Sequence, residues 1–234
     1  MTGVLDEVRS ACAEVAARAR YVHIHAARIA SYAASLPLAE LANPAHDPSA
    51  HYLGHGDDTV AFFLTLDAVN FGSGYFPLLR KRPGMSGYFT VATSLAEHFR
   101  QHGPLPAERL AAATDRECAA IFGQDAASAP AMELMELFAR AWRDLGRFLL
   151  GGYGGSFVGP VAAAAGSAEA LVGLLAQMPL FDDVAMYDGL RVPFYKRAQI
   201  TSADLWTAFA GSGPGAFHDL HRLTTVSYTH LRAH

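Results

Sequence analysis

Apolar residues recur at three- and four-residue spacing in stretch after stretch of this chain: 4–20, 23–35, 57–71, 88–102, 106–122, 130–150, 166–177 and 199–210. That period gathers each apolar set on one side of a helix, so the pattern predicts a mainly α fold built from amphipathic helices. Local chemistry marks several ends. Asp57 and Asp58 open one helix, Gly151 closes another, and Ser167 caps a third with Glu169 close behind. One place reads differently: VAMY, Asp188-Gly189 and LRVPF set a two-residue turn between apolar arms, which predicts a small β-hairpin at about 184–195.

The 234 residues, 51% of them hydrophobic, supply one sizeable core. No repeat, charge block or linker divides them, and residues 1–225 are expected to form a single helical domain. The last nine residues, VSYTHLRAH at 226–234, break the Ala-, Gly- and Leu-rich style and read as a foreign tail. A net charge of −4 gives no overall field for nucleic acid or an anionic membrane, so neither is an expected partner and any anion must be caught locally. The protein is expected to be a monomer. Cys12 and Cys118 show no metal or disulfide spacing, which suits the cytoplasm. The uncharged run between Arg147 and Glu169 is interrupted by glycines and Pro160 and does not read as a membrane span.

Histidine spacing offers no metal site. His51 with His55, and His98 with His102, stand four apart, but neither pair completes HExxH and no third ligand presents itself. We expect no metal and no cofactor. His51 or His55 can still touch a ligand from beside the helix at 57–71.

Three stretches can carry chemistry. In TVAFFLTLDAVNF, helical spacing puts Phe63, Asp67, Asn70 and Phe71 on one face: a carboxylate, an amide and two rings. Two readings stand. Asp67 caps a neighbouring helix while Asn70 ends its own, or the face is a base-binding wall in which a carboxylate accepts two adjacent N–H donors. GGYGGSFVGP, 151–160, is either a helix cap and turn or a flexible backbone approaching a ligand, with Ser156 donating. It lacks the Gly-Lys-Ser/Thr of a P-loop. In RVPFYKRAQI, Lys196 and Arg197 diverge if they begin a helix, so only one need point inward, toward a carboxylate or a ligand phosphate.

Taken together, LDAVNF at 66–71, GGSFVGPV at 154–161 and VAMYDGLRVPFYKRAQITSADLW at 184–206 resemble the queuosine salvage protein family. The resemblance runs over nearly all of residues 4–225. It implies a cytoplasmic, mostly helical hydrolase with some likeness to helical DNA glycosylases, cleaving the N-glycosidic bond of queuosine 5′-monophosphate to queuine and ribose 5-phosphate. By the same resemblance Asp67 falls where the 7-deazaguanine ring binds, with Asn70 and Phe71 beside it, and Lys196 falls at the active-site lysine. His51, Ser156, Phe157, Tyr195 and Arg197 complete the expected substrate contacts. The other reading is a non-catalytic binder of a deazaguanine base or nucleotide.

One departure matters. After the equivalent of HRLTT the family continues with Phe-Ala-Asp, whose Asp acts at the sugar, whereas here Thr225 is followed by Val226, Ser227 and Tyr228. Asp204 lies one or two helical turns past Lys196 and Asp67 is assigned to the base, so neither is an obvious substitute. This 234-residue form is therefore expected to be impaired.

Overall fold

The computed structural model describes residues 3–36 and 45–224; the expected foreign tail at 226–234 and the departure after Thr225 lie outside them. The helices are α1 (Val4–Arg18), α2 (Ala26–Ser35), α3 (Asp57–Ala68), α4 (Gly87–His102), α5 (Ala107–Ala111), α6 (Asp115–Ile121), α7 (Ala129–Tyr153), α8 (Val158–Ala163), α9 (Ala168–Leu175) and α10 (Lys196–Ala208). A hairpin of β1 (Val184–Tyr187) and β2 (Leu190–Pro193) separates α9 from α10. The fold is mainly α, as the periodicity predicts. Asp188 and Gly189 both take positive φ, 46° and 77°, as the mirror-image turn of a two-residue hairpin requires.

At the centre lies α3, buried from Thr59 through Ala68. A helix sealed on every side must be apolar on every side, and Val60, Phe62, Phe63, Leu64 and Leu66 meet that demand. Against it packs the longest helix, α7, whose Trp142 fills the core and donates its indole N–H to the Thr65 carbonyl at 3.0 Å. The other side of α3 is covered by α10, and this packing sets residues of the two helices face to face.

Several boundaries differ from the sequence reading, each for a local reason. The stretch 106–122 is two helices, because Thr114 accepts from the Glu117 N–H at 3.2 Å and starts a second one. Gly151 does not close α7; the helix runs on to Tyr153, and the left-handed turn falls at Gly154, whose N–H returns to Leu149. The short α8 was not expected through Gly159 and Pro160. Its proline sits in the first turn, where a missing N–H breaks no helical bond. The run 151–160 is thus a helix cap followed by a short helix.

Ser167 caps α9 by accepting from the Ala170 N–H at 3.1 Å. Asp219 adds its carboxylate to the same helix end, accepting from the Ala168 N–H at 2.5 Å and from the Ser167 hydroxyl at 2.7 Å. Glu169 instead accepts from the Leu5 N–H at 3.0 Å and pairs with Arg222, tying α1, α9 and the 220–222 turn together.

Candidate active site

The hairpin delivers α10 through a strained junction. Tyr195 precedes the helix in left-handed backbone, φ 47° and ψ 37°, a conformation that costs a side-chain-bearing residue about 1 kcal/mol or more. Its neighbours hold it there. The Phe194 N–H donates to the Asp183 carbonyl at 2.8 Å, the Lys196 N–H reaches the Asp183 carboxylate at 3.4 Å, and Gln199 donates to the Phe194 carbonyl at 2.8 Å. Tyr195 is buried, its hydroxyl 3.3 Å from the Arg191 guanidinium.

From this start, Arg197 turns inward: it donates to the Ala68 carbonyl at 3.0 Å and lies 4.7 Å from the Phe71 ring centre and 5.2 Å from that of Phe181. Burial lowers its pKa to about 10, against the pull of the Asp183 and Asp67 charges, so it remains a cation at neutral pH. Lys196 is half-buried at the first position of the helix.

One and two turns on along the same face of α10 stand Thr201 and Asp204, and opposite them on α3 stands Asp67. Asp67 is 0% exposed and Asp204 6%. Their carboxyls are hydrogen-bonded to each other. Burial pushes Asp67 up to about 7, opposed by Thr201, Asn70, Asp204 and the Arg197 charge. Burial pushes Asp204 further, and the Asp67 charge adds to it. Asp204 is therefore the protonated donor and Asp67 the acceptor, the usual division when two carboxyls cannot both ionise. Asn70 donates to Asp67 Oδ1 at a long 3.5 Å, and no amide, amine or alcohol donor among the described residues reaches the buried Oδ2.

The third wall is the segment 45–52 with the start of α4. His46 donates Nε2–H to the Asp204 carbonyl at 3.0 Å, and its ring lies 4.6 Å from Phe63 and 4.8 Å from His51. His51 contacts the Asp47 carbonyl at 2.9 Å and the Tyr88 hydroxyl at 3.0 Å. Burial lowers the His51 pKa, so it is neutral at pH 7. The segment is clamped by Arg100, which donates to the carbonyls of Pro48 at 3.0 Å and His51 at 3.1 Å.

The structure thus brings together Asp67, Asn70, Phe71 and Arg197, with His51 one ring away and Lys196 and Tyr195 at the head of the same helix. Ser156 and Phe157 stand apart, between α7 and α8; among the described residues no hydrogen bond or ring contact joins either to Asp67 or Asp204. The sequence reading set Asp204 aside and missed His46, Tyr88 and Thr201. The signal for two of these was present, since Arg197, Thr201 and Asp204 recur at helical spacing. Among the described residues, no helix end donates to Asp67.

Open clefts lie elsewhere. One of about 270 Å³ runs between Asp57, Val161, Pro214 and Phe217, and another lies between α1 and the hairpin; neither includes a residue of this cluster. Asn70 and Phe71, next to Asp67 along the chain, are both partly exposed. Among the described residues no three His, Cys, Asp or Glu side chains are placed to hold a metal ion, and no helix is long and apolar enough to cross a membrane.

The arrangement can accept hydrogen bonds from a flat, donor-bearing ligand edge, stack aromatic surface against it and oppose charge with a buried cation. Comparison with known proteins gives this chemistry a context. Residues 50–229 match the family described as queuosine salvage protein. A Sphaerobacter thermophilus protein named queuosine 5′-phosphate N-glycosylase/hydrolase is 35% identical over 230 residues, which is 96% of this chain and 69% of that protein. Proteins of the same name from Mus musculus and Schizosaccharomyces pombe are 34% and 29% identical over 59% and 70% of this chain; the matches cover 41% and 49% of those proteins.

Proposed function

The chain belongs to the queuosine salvage protein family, and from that premise we propose that it hydrolyses the N-glycosidic bond of queuosine 5′-monophosphate, yielding queuine and ribose 5-phosphate. The observation that carries the reading is Asp67 Oδ2, a fully buried acceptor with no amide, amine or alcohol donor, one turn after Phe63 on α3 and with Asn70 and Phe71 just past the helix end. A buried carboxylate oxygen left this way is costly unless a ligand completes it, and the paired N–H donors of a 7-deazaguanine ring are suited to do so. Asn70, already bonded to Asp67 and partly exposed, is the group the base displaces.

The remaining roles follow from position. Phe71, held against Arg197, stacks on the base. Asp204 and the Arg197 charge both oppose the effect of burial on Asp67, so Asp67 is partly ionised near neutral pH and can accept from the base. Lys196, at the head of α10, serves the reacting half of the site, where the sugar develops oxocarbenium character and its phosphate needs an anchor. Tyr195 and its strained junction fix where that lysine starts. His51 acts at the site through Tyr88, to which it is bonded, and we assign Ser156 and Phe157, which stand apart from the carboxyl pair, to a more distant part of the ligand. The net charge of −4 supports a free nucleotide substrate rather than a nucleic acid, and we place the enzyme in the cytoplasm as a monomer of a single domain through residue 225.

Titration calorimetry with queuosine 5′-monophosphate tests the central assignment. Asp67→Ala loses most of the affinity; an unchanged affinity overturns the assignment of Asp67 to the base.

A further inference from the structure

We propose that Tyr88 is an additional substrate-binding residue, a hydrogen-bond acceptor held in that role by His51, and that it selects a ligand edge rich in N–H donors. A backbone carbonyl only accepts, so the 2.9 Å contact between His51 Nδ1 and the Asp47 carbonyl requires that Nδ1 carry the ring proton. In a neutral imidazole Nε2 is then bare. The Tyr88 hydroxyl 3.0 Å away must donate to it. The phenol has one proton, and it is committed.

What remains on Tyr88 is the acceptor capacity of its oxygen. Tyr88 reaches the carboxyl pair through two rings: His51, bonded to its hydroxyl, lies 4.8 Å from His46, which bonds the Asp204 carbonyl at 3.0 Å. Burial above all holds the phenol protonated well above its usual value. Asp67 Oδ2 and the Tyr88 oxygen therefore both keep lone pairs in one buried cluster, and the phenol, its single proton committed to His51, has none to give a ligand. A base edge with adjacent N–H donors meets two acceptors; an adenine-type edge, which sets a ring acceptor beside its amine, meets a lone pair with a lone pair.

His51 acts here through the tyrosine, since both of its ring nitrogens are committed within the protein. The groups facing it are the Asp47 carboxylate from its own segment, the His46 ring, Phe62 and Phe63 from α3, and Tyr88, Phe89 and Arg100 from α4. Arg100 holds the segment by its carbonyls, so the histidine is fixed from behind.

The inference rests on the assignment of this pocket to the base, and the test separates the two. Binding of 7-deazaguanosine 5′-monophosphate and 7-deazaadenosine 5′-monophosphate is measured for the wild type, Tyr88→Phe and His51→Phe, each checked for a native melting transition. The wild type prefers the deazaguanosine nucleotide. Tyr88→Phe weakens that nucleotide by about tenfold and leaves the other unchanged. His51→Phe frees the phenol proton to donate and narrows the preference from both sides. Nitrogen-15 spectra of the wild-type His51 ring show a protonated Nδ1 and a bare Nε2. Equal weakening of both nucleotides in Tyr88→Phe, or a His51 ring protonated at Nε2, overturns the role given to Tyr88. A wild type that binds neither nucleotide refutes the base pocket itself, while the His51 spectrum still reports whether the tyrosine is held as described.

Discussion

Asp67 of α3 and Asp204 of α10 meet carboxyl to carboxyl inside the protein, Asp204 holding its proton the more tightly, with the Arg197 cation beside Asp67. A pair of this kind stabilises nothing by itself, since removing two acids from water costs more than one shared hydrogen bond returns. Its presence in the middle of the core is best understood as a site kept ready for a ligand.

Stability should carry its signature in pH. Both folded pKa values lie above the value of about 4 for an unfolded aspartate, so between the two the folded chain binds more protons than the unfolded one. The contribution is present at low pH and is lost as pH rises through 7 and beyond. His51 and His98, held below their usual value by burial, work in the opposite sense below about 6.5, so the informative quantity is a difference between variants. The melting temperature of Asp204→Asn, relative to wild type, rises between pH 6.5 and pH 8.5; a pH-independent difference contradicts the protonated state given to Asp204.

Arg197→Met keeps much of the stem but loses the bond to the Ala68 carbonyl, the two ring contacts and the charge beside Asp67. We expect destabilisation of about 3 kcal/mol at pH 7, shrinking toward pH 5 as Asp67 takes a proton. Denaturant unfolding at the two pH values measures it. An equal loss at both would mean that packing, not charge, is what Arg197 contributes.

Two glycines of α7 should respond in opposite directions. A Cβ at Gly146 would lie 2.3 Å from the Ala111 nitrogen and 2.5 Å from the Ala107 carbonyl, backbone atoms of the helix it crosses, so Gly146→Ala forces α5 away and costs about 2 kcal/mol or more. At Gly151 nothing lies within 4 Å, and Gly151→Ala stabilises the helix by about 0.5–1 kcal/mol. Thermal melts of the two variants check both signs.

How far the sequence reaches depends on the range of the interaction. Phe63 and Asp67 share a face of α3 as helical spacing predicts, but the helix ends at Ala68 rather than 71, so Asn70 and Phe71 come to the site from beyond its end; the Asp-Gly turn is legible because two residues suffice to specify it. The cap at Thr114 was equally local and was missed, with Glu117 three residues on as its signal. Which of the glycines from Gly151 to Gly155 ends α7 depends on where the helix meets its neighbours, and periodicity does not fix that. The pairing of Asp204 with Asp67 is not legible in the sequence because distance along the chain says nothing of the packing of α10 on α3. His46 and Tyr88 come from two further segments, and no local pattern announces them.

The most direct test of the whole account is to incubate the purified chain with queuosine 5′-monophosphate and follow free queuine by mass spectrometry, with Asp67→Ala in parallel. The account predicts queuine and ribose 5-phosphate in equal amounts from the wild type, however slowly, and none from the variant. Substrate that stays bound to the wild type without releasing queuine would contradict it and leave a binding protein in place of a hydrolase.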